Sequence, residues 1–184
     1  MKIQRSLACA LTVLATALGT AQTFAKKHID IPVIDARPDD VSSIENIVRA
    51  SYETISGGVG VPRQWGRDRT LYDPNARFIA IEYKNGAIVP EGSNEQEFAD
   101  AGDEFMVKQG FTERELAHQT HRFGNVATVL SSYEGKAAST GKVVTRGVNI
   151  FQLYFDGKRW WILSIVWDEE QPDNPIPADL LPKG

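Results

Sequence analysis

From residue 41 onward, apolar positions recur at helical spacing. Val41, Ile44, Ile47, Val48 and Ile55 fall on one stripe, with Ser51 and Tyr52 between them. Asp39 or Asp40, or Ser42-Ser43 ahead of Ile44-Glu45, offer helix caps, and Gly57-Gly58 offers the stop. A second, short helix is expected over residues 63–72, ended by Asp73-Pro74. The period then changes from helical to alternating. Residues 76–83 read as a strand, and Asn85-Gly86 after them is a hairpin-turn signal. Residues 95–109 return to helical spacing, with Phe98, Phe105 and Met106 on the apolar side and Gly110 as the stop. Four long alternating stretches follow at 112–123, 126–134, 142–155 and 159–168. They are broken at Gly124-Asn125, at 135–141 and at Asp156-Gly157.

Helices and hairpin-linked strands are segregated along the chain, which predicts an α+β domain. Its expected form is a curved antiparallel sheet wrapped around the N-terminal helices. The domain is placed at 39–170, behind an extended lead-in at 26–38. A tail at 171–184, carrying four prolines, forms a loop or extended clasp. The last hairpin is apolar on both parities: Phe151, Leu153 and Phe155 against Ile150 and Tyr154, then Trp161, Leu163, Ile165 and Trp167 against Trp160, Ile162 and Val166. One face would cover the helices and the other a second copy, so a homodimer through the sheet is expected.

The first 25 residues follow a different logic. Lys2 and Arg5 precede an uncharged apolar run at 7–18, and Thr23-Phe24-Ala25 precedes Lys26-Lys27. This is the layout of a secretory signal peptide, with cleavage after Ala25 or after Ala21. The expected location is periplasmic or secreted, and no membrane association is expected after cleavage. The single cysteine, Cys9, falls in the removed segment, so the mature chain holds no thiol. The full sequence carries a net charge of −4, and cleavage removes two basic residues and no acidic one. That balance argues against a nucleic-acid partner.

The chain resembles the nuclear transport factor 2-like (SnoaL-like, cystatin-like cone) superfamily, and in particular its exported bacterial members of unassigned function. The resemblance rests on the helical first third, Trp-x-Arg-x-Arg-x-Leu-Tyr-x-Pro-x-Ala at 65–76, Phe-Gly-Asn-Val at 123–126 and Asp-Gly-Lys-Arg-Trp-Trp-Ile at 156–162. It implies a sheet curved into a cone, often dimeric, with a pocket at the open end. Relatives include isomerases, cyclases and dehydratases as well as non-catalytic binders, so the fold does not fix the function.

Two readings of the chemistry follow. In the first, the cone binds a small, partly apolar molecule without a cofactor, lined by Tyr52, Trp65, Arg69, Asn149, Gln152 and Trp167. Asn149 and Gln152 stand at opposite parities, so only one is expected to face the cavity. In the second, His118 or His121 works with Asp168 as a proton relay for isomerase, cyclase or dehydratase chemistry. The two histidines stand three apart on a strand and point to opposite faces, so no shared metal site is expected. Arg67 is read as a surface residue paired with Glu or Asp. A third reading makes the open sheet face a protein–protein interaction surface.

Overall fold

A computed structural model describes residues 28–182. The predicted signal segment, with Cys9 and both cleavage positions, lies outside the described residues. Helix α1 (Pro38–Val41) is a single turn opened by its proline. Helix α2 (Ile44–Ile55) is capped by Ser43, whose hydroxyl accepts the Asn46 N–H at 3.1 Å. Of the two capping choices the serine pair is the one used, and the aspartates fall in α1. Ile44, Ile47, Val48 and Tyr52 are buried along one side of α2.

Helix α3 (Trp65–Arg69) is shorter than residues 63–72. Thr70 closes it, and Tyr72 already belongs to strand β1 (Tyr72–Lys84), which pairs with strand β6 (Trp160–Glu169). Asp73-Pro74 therefore does not end the helix. It occupies an irregularity in β1 between Tyr72 and Arg77, where a residue without an N–H costs the ladder nothing. Asn85 and Gly86, both at positive φ, turn β1 into strand β2 (Ala87–Ser93).

Helix α4 (Glu95–Gln109) opens with a capping box between Asn94 and Glu97. It buries Ala99 and Met106 and packs Phe98 against the core, while Phe105 is 52% exposed. The apolar stripe of α4 is thus narrower than the sequence reading placed it. Gly110 ends the helix at φ +63, where a Cβ would meet the Val59 nitrogen at 2.6 Å.

Strands β3 (Phe111–Phe123), β4 (Val126–Ala137), β5 (Lys142–Phe155) and β6 form a meander. The six strands form one sheet in the order β2-β1-β6-β5-β4-β3. All neighbours are antiparallel except β1 and β6, which run parallel. The sheet is accordingly mixed. The long excursion through α4 and β3–β5 supplies the crossover that a parallel pair requires. Helix α2 packs on both β3 and β6, so the sheet curves over it without closing.

Three bulges reset the parity of the strands. Leu116 is extra in β3 opposite β4, Val144 is extra in β5 opposite β4, and Leu163 is extra in β6 opposite β5. The last decides the tryptophans. Because Leu163 is skipped, Trp160 and Ile162 before it and Ile165 and Trp167 after it all pack on the helix-covered core, although the two pairs differ in parity. Trp161 is left on the outer face, stacked on Tyr154 and under the Arg159 guanidinium. The C-terminal tail covers part of that outer face. Ile176 and Leu180 are buried, Ser132 donates to the Leu180 carbonyl, and Gln119 donates to Asp179 at 2.8 Å.

Arg67 is the main correction inside the helical layer. It is paired as expected, with Asp40 at 2.7 Å and Glu53 at 2.7 Å, but it is buried at 7% exposure. Its short helix lies against α1 and α2, so the guanidinium reaches inward. Arg63 is also buried and donates to the carbonyls of Ile55, Gly58, Val61 and Phe111, tying the α2 exit to the start of β3.

Candidate functional site

One row of side chains crosses four strands on the helix-covered face. His118 on β3 is registered with Ser131 on β4, Ser131 with Asn149 on β5, and Asn149 with Trp167 on β6. Above the middle of this row, α2 brings down Tyr52. Ser131 is fully buried, and Tyr52 is 5% exposed. The Tyr52 hydroxyl lies 2.7 Å from Ser131 Oγ and accepts from Asn149 Nδ2 at 3.1 Å. Ser131 donates to Glu115 Oε1 at 2.6 Å, and Glu115 Oε2 lies 3.0 Å from His118 Nδ1.

Between α2, α4 and the sheet lies a cavity of about 170 Å³. Its walls are mostly aromatic. Phe98 stacks on Phe78 at 5.1 Å and meets Trp167 edge-on at 6.2 Å, while Tyr52 meets Phe151 edge-on. Its polar lining is Ser51, Tyr52, Glu113, Tyr133, Thr145 and Asn149, with Tyr72 and Glu169 completing it. Gly147, registered with both Tyr133 and Glu169, keeps this side open: a Cβ there would meet the Tyr133 hydroxyl at 2.9 Å.

Glu113 is the charged group that the sequence reading did not single out. Burial pushes its carboxyl up to about 8, against a hydrogen bond from Asn149 that favours the anion, while the Glu169 charge raises it further. It is therefore largely protonated at neutral pH. A weak signal for it exists in the sequence. Phe111, Glu113 and Glu115 share one parity at the start of β3, which places two acids on the same side as a buried aromatic. Burial also raises the Tyr52 and Tyr133 hydroxyls above the ordinary tyrosine value.

Of the six residues expected to line a pocket, Tyr52, Asn149 and Trp167 do so together. Gln152 stands on the outer face, where Ser164 donates to it at 3.0 Å, so one of the two amides faces the cavity. Trp65 is buried in a neighbouring core cluster with Ile31 and Met106 and donates to Asp103 at 2.7 Å. Arg69 pairs with Glu95 at 2.8 Å and lines a separate cleft of about 560 Å³ beside the lead-in segment.

His118, His121 and Asp168 are not brought together. His118 faces the helix side but sits on the edge strand outside the cavity lining, paired with Glu115. His121, registered with Thr128, is exposed along an outer groove. Asp168 follows Trp167 and so points to the other face, where Tyr83 donates to it at 3.0 Å. The carboxyls in the cavity lining come from Glu113 and Glu169 instead.

No protein-family model matches the sequence, and none of the curated proteins does. Solved structures do match its shape. A protein of unknown function with a cystatin-like fold from Nostoc punctiforme aligns over 78% of this chain and 100% of its own, at TM-score 0.53 and 9% identity. A nuclear transport factor 2-like protein of unknown function from Methylobacillus flagellatus covers 70% of this chain and 95% of its own, at TM-score 0.46 and 14% identity. One from Shewanella baltica covers 67% and 86%, at TM-score 0.45 and 12% identity. The chain has the cystatin-like fold of the Nostoc punctiforme protein, and at 9% identity the likeness is one of fold.

Proposed function

We propose that the protein binds a small, mostly apolar molecule with one polar group in the cavity beneath the curved sheet. The observation that carries this reading is the aromatic cavity of about 170 Å³ with the Glu113 carboxyl in its wall. A dry apolar cavity of about 150 Å³ is enough to hold a benzene ring. Ile55 lies at the half-buried edge of the lining, on the last turn of α2. In a thermal-shift screen of the 26–184 chain with benzene-sized ligands, at least one is expected to raise Tm. The substitution I55W, which fills the cavity from its edge, is expected to abolish that shift while the chain stays folded. An unchanged shift in I55W contradicts the reading.

A second reading is favoured by Glu113 alone. A carboxyl pushed up to about 8 in an aromatic-walled pocket is suited to take and return a proton near neutrality. Cofactor-free isomerase or dehydratase chemistry would then run through Glu113 rather than through a histidine–aspartate relay. Any such activity found in a substrate screen must vanish in E113Q. Export after cleavage at Ala25 or Ala21, and pairing of two copies through the uncovered outer sheet, belong to the same proposal. N-terminal sequencing of the periplasmic or secreted product and sedimentation of the 26–184 chain test these two points.

A further inference from the structure

The directions of the hydrogen bonds around the cavity follow from counting protons. Ser131 has one hydroxyl proton, and it goes to Glu115. In the 2.7 Å contact between Tyr52 and Ser131, Tyr52 must therefore be the donor. The same logic holds on the other side of the cavity. Thr145 gives its proton to Glu169 at 2.9 Å, so Tyr133 must donate in its 3.4 Å contact with Thr145. Ser51 donates to the Val48 carbonyl at 2.8 Å. Asn149 donates an amide proton to Tyr52 at 3.1 Å.

Two carboxylates, Glu115 behind Ser131 and Glu169 in the lining, thus draw tyrosine protons out of the cavity through an intervening hydroxyl. Glu115 is held in turn by His118. Four of the five hydroxyls that line the cavity present oxygen lone pairs to it. The fifth, Tyr72, lies where the cavity meets the second cleft and lines both. A carbonyl compound would leave the tyrosine lone pairs unanswered. A hydroxyl compound can accept from a carboxylic acid at Glu113 and donate to Tyr52 or Tyr133.

We propose that the cavity selects ligands bearing a hydrogen-bond donor, a phenol or a small alcohol, over carbonyl compounds of the same size, and that Glu115 and Glu169 impose this selection as positioning residues. This inference rests on the pocket reading above and adds the ligand class. Because a polar site rejects an analogue that leaves its buried groups unpaired, phenol should bind at least about tenfold more tightly than cyclohexanone.

The test is isothermal titration of the 26–184 chain at neutral pH with phenol, cyclohexanone and benzene, repeated on E115Q and on E169Q. A glutamine amide can donate to Ser131 or Thr145, which lets the hydroxyl relay reverse and turns a tyrosine proton into the cavity. The expected result is tighter binding of phenol to the wild type and a phenol-to-cyclohexanone ratio that falls by at least about threefold in one or both variants. The two relays are independent, so a folding failure of one variant leaves the other as the test. Equal affinity for phenol and cyclohexanone in the wild type overturns the donor selection and leaves the pocket reading intact. An unchanged ratio in every folded variant overturns the role of the two carboxylates. Absence of binding by all three probes overturns the pocket reading and this inference with it.

Discussion

Three acids among the described residues, Asp40, Asp68 and Glu113, meet the cost of leaving water in three ways. Asp40 keeps its charge, because Arg67 grips both of its oxygens, and its carboxyl is held below the ordinary value by that hydrogen bond. Asp68, fully buried, has Thr54 on one oxygen and no partner on the other, and burial pushes it up to about 7. Glu113 faces the cavity and rises to about 8. Removing one partner of a buried ion pair strands the other, so R67M should destabilise the fold by about 3 kcal/mol or more in urea unfolding. The pH signs are opposite. Asp40 binds its proton less readily folded than unfolded, so its contribution is present above pH 3.8 and is lost as the pH falls through its lower folded value. Asp68 and Glu113 bind protons more readily when folded. Their contribution is complete below their unfolded values of 3.8 and 4.5, and it is lost as pH rises through about 7 and about 8. Urea midpoints measured across that window should fall with rising pH, and D68N should flatten the fall. A flat wild-type profile would contradict the assigned protonation of both groups.

At the level of elements, the Asn85-Gly86 turn and the Gly110 stop were legible, whereas the cap that opens α4 was not read. Asn94 and Glu97 form the box that opens α4, so N94A should cost about 1 kcal/mol. Gly110 combines a positive φ with contact to the Val59 backbone and Ala138, so G110A should cost more than N94A in the same unfolding experiment. Periodicity located α2, α4, β5 and the Asn85-Gly86 hairpin because each shows a clear period and a punctuating residue. It could not locate the bulges. A strand with apolar residues at both parities, such as 160–167, carries no mark of where one residue drops out of the ladder. Leu163 drops out, and that event puts Trp160 and Trp167 into the same core. For the same reason Asn149 and Gln152 could be separated by parity, but which one faces the cavity could not be read. Arg67 reads as a surface residue because nothing in the sequence reports that α3 folds back over α1.

For the whole molecule, the lead-in and the tail hold the sheet from both sides. Ile31 packs beside Trp65 and α4, Leu180 closes on β3 and β4, and Ile176 is buried with its N–H on Glu170. Removing residues 171–184 exposes the ground beneath two buried aliphatic side chains, so Tm should drop by an amount corresponding to about 2–4 kcal/mol. The sheet surface that the tail leaves open, with Ile150 and Leu163 exposed, is the place where a second copy would sit. The overall fold could be read from the order of elements, whereas the site could not. A cavity is a property of register and of how two helices seat on a sheet, and Glu113 acquires its character from burial that no local pattern encodes. A crystal structure of the 26–184 chain grown with saturating phenol tests the central claim most directly. The expected result is a ring between Tyr52, Phe98 and Trp167 with its hydroxyl beside Glu113. A cavity holding only water, or collapsed onto itself, would contradict it.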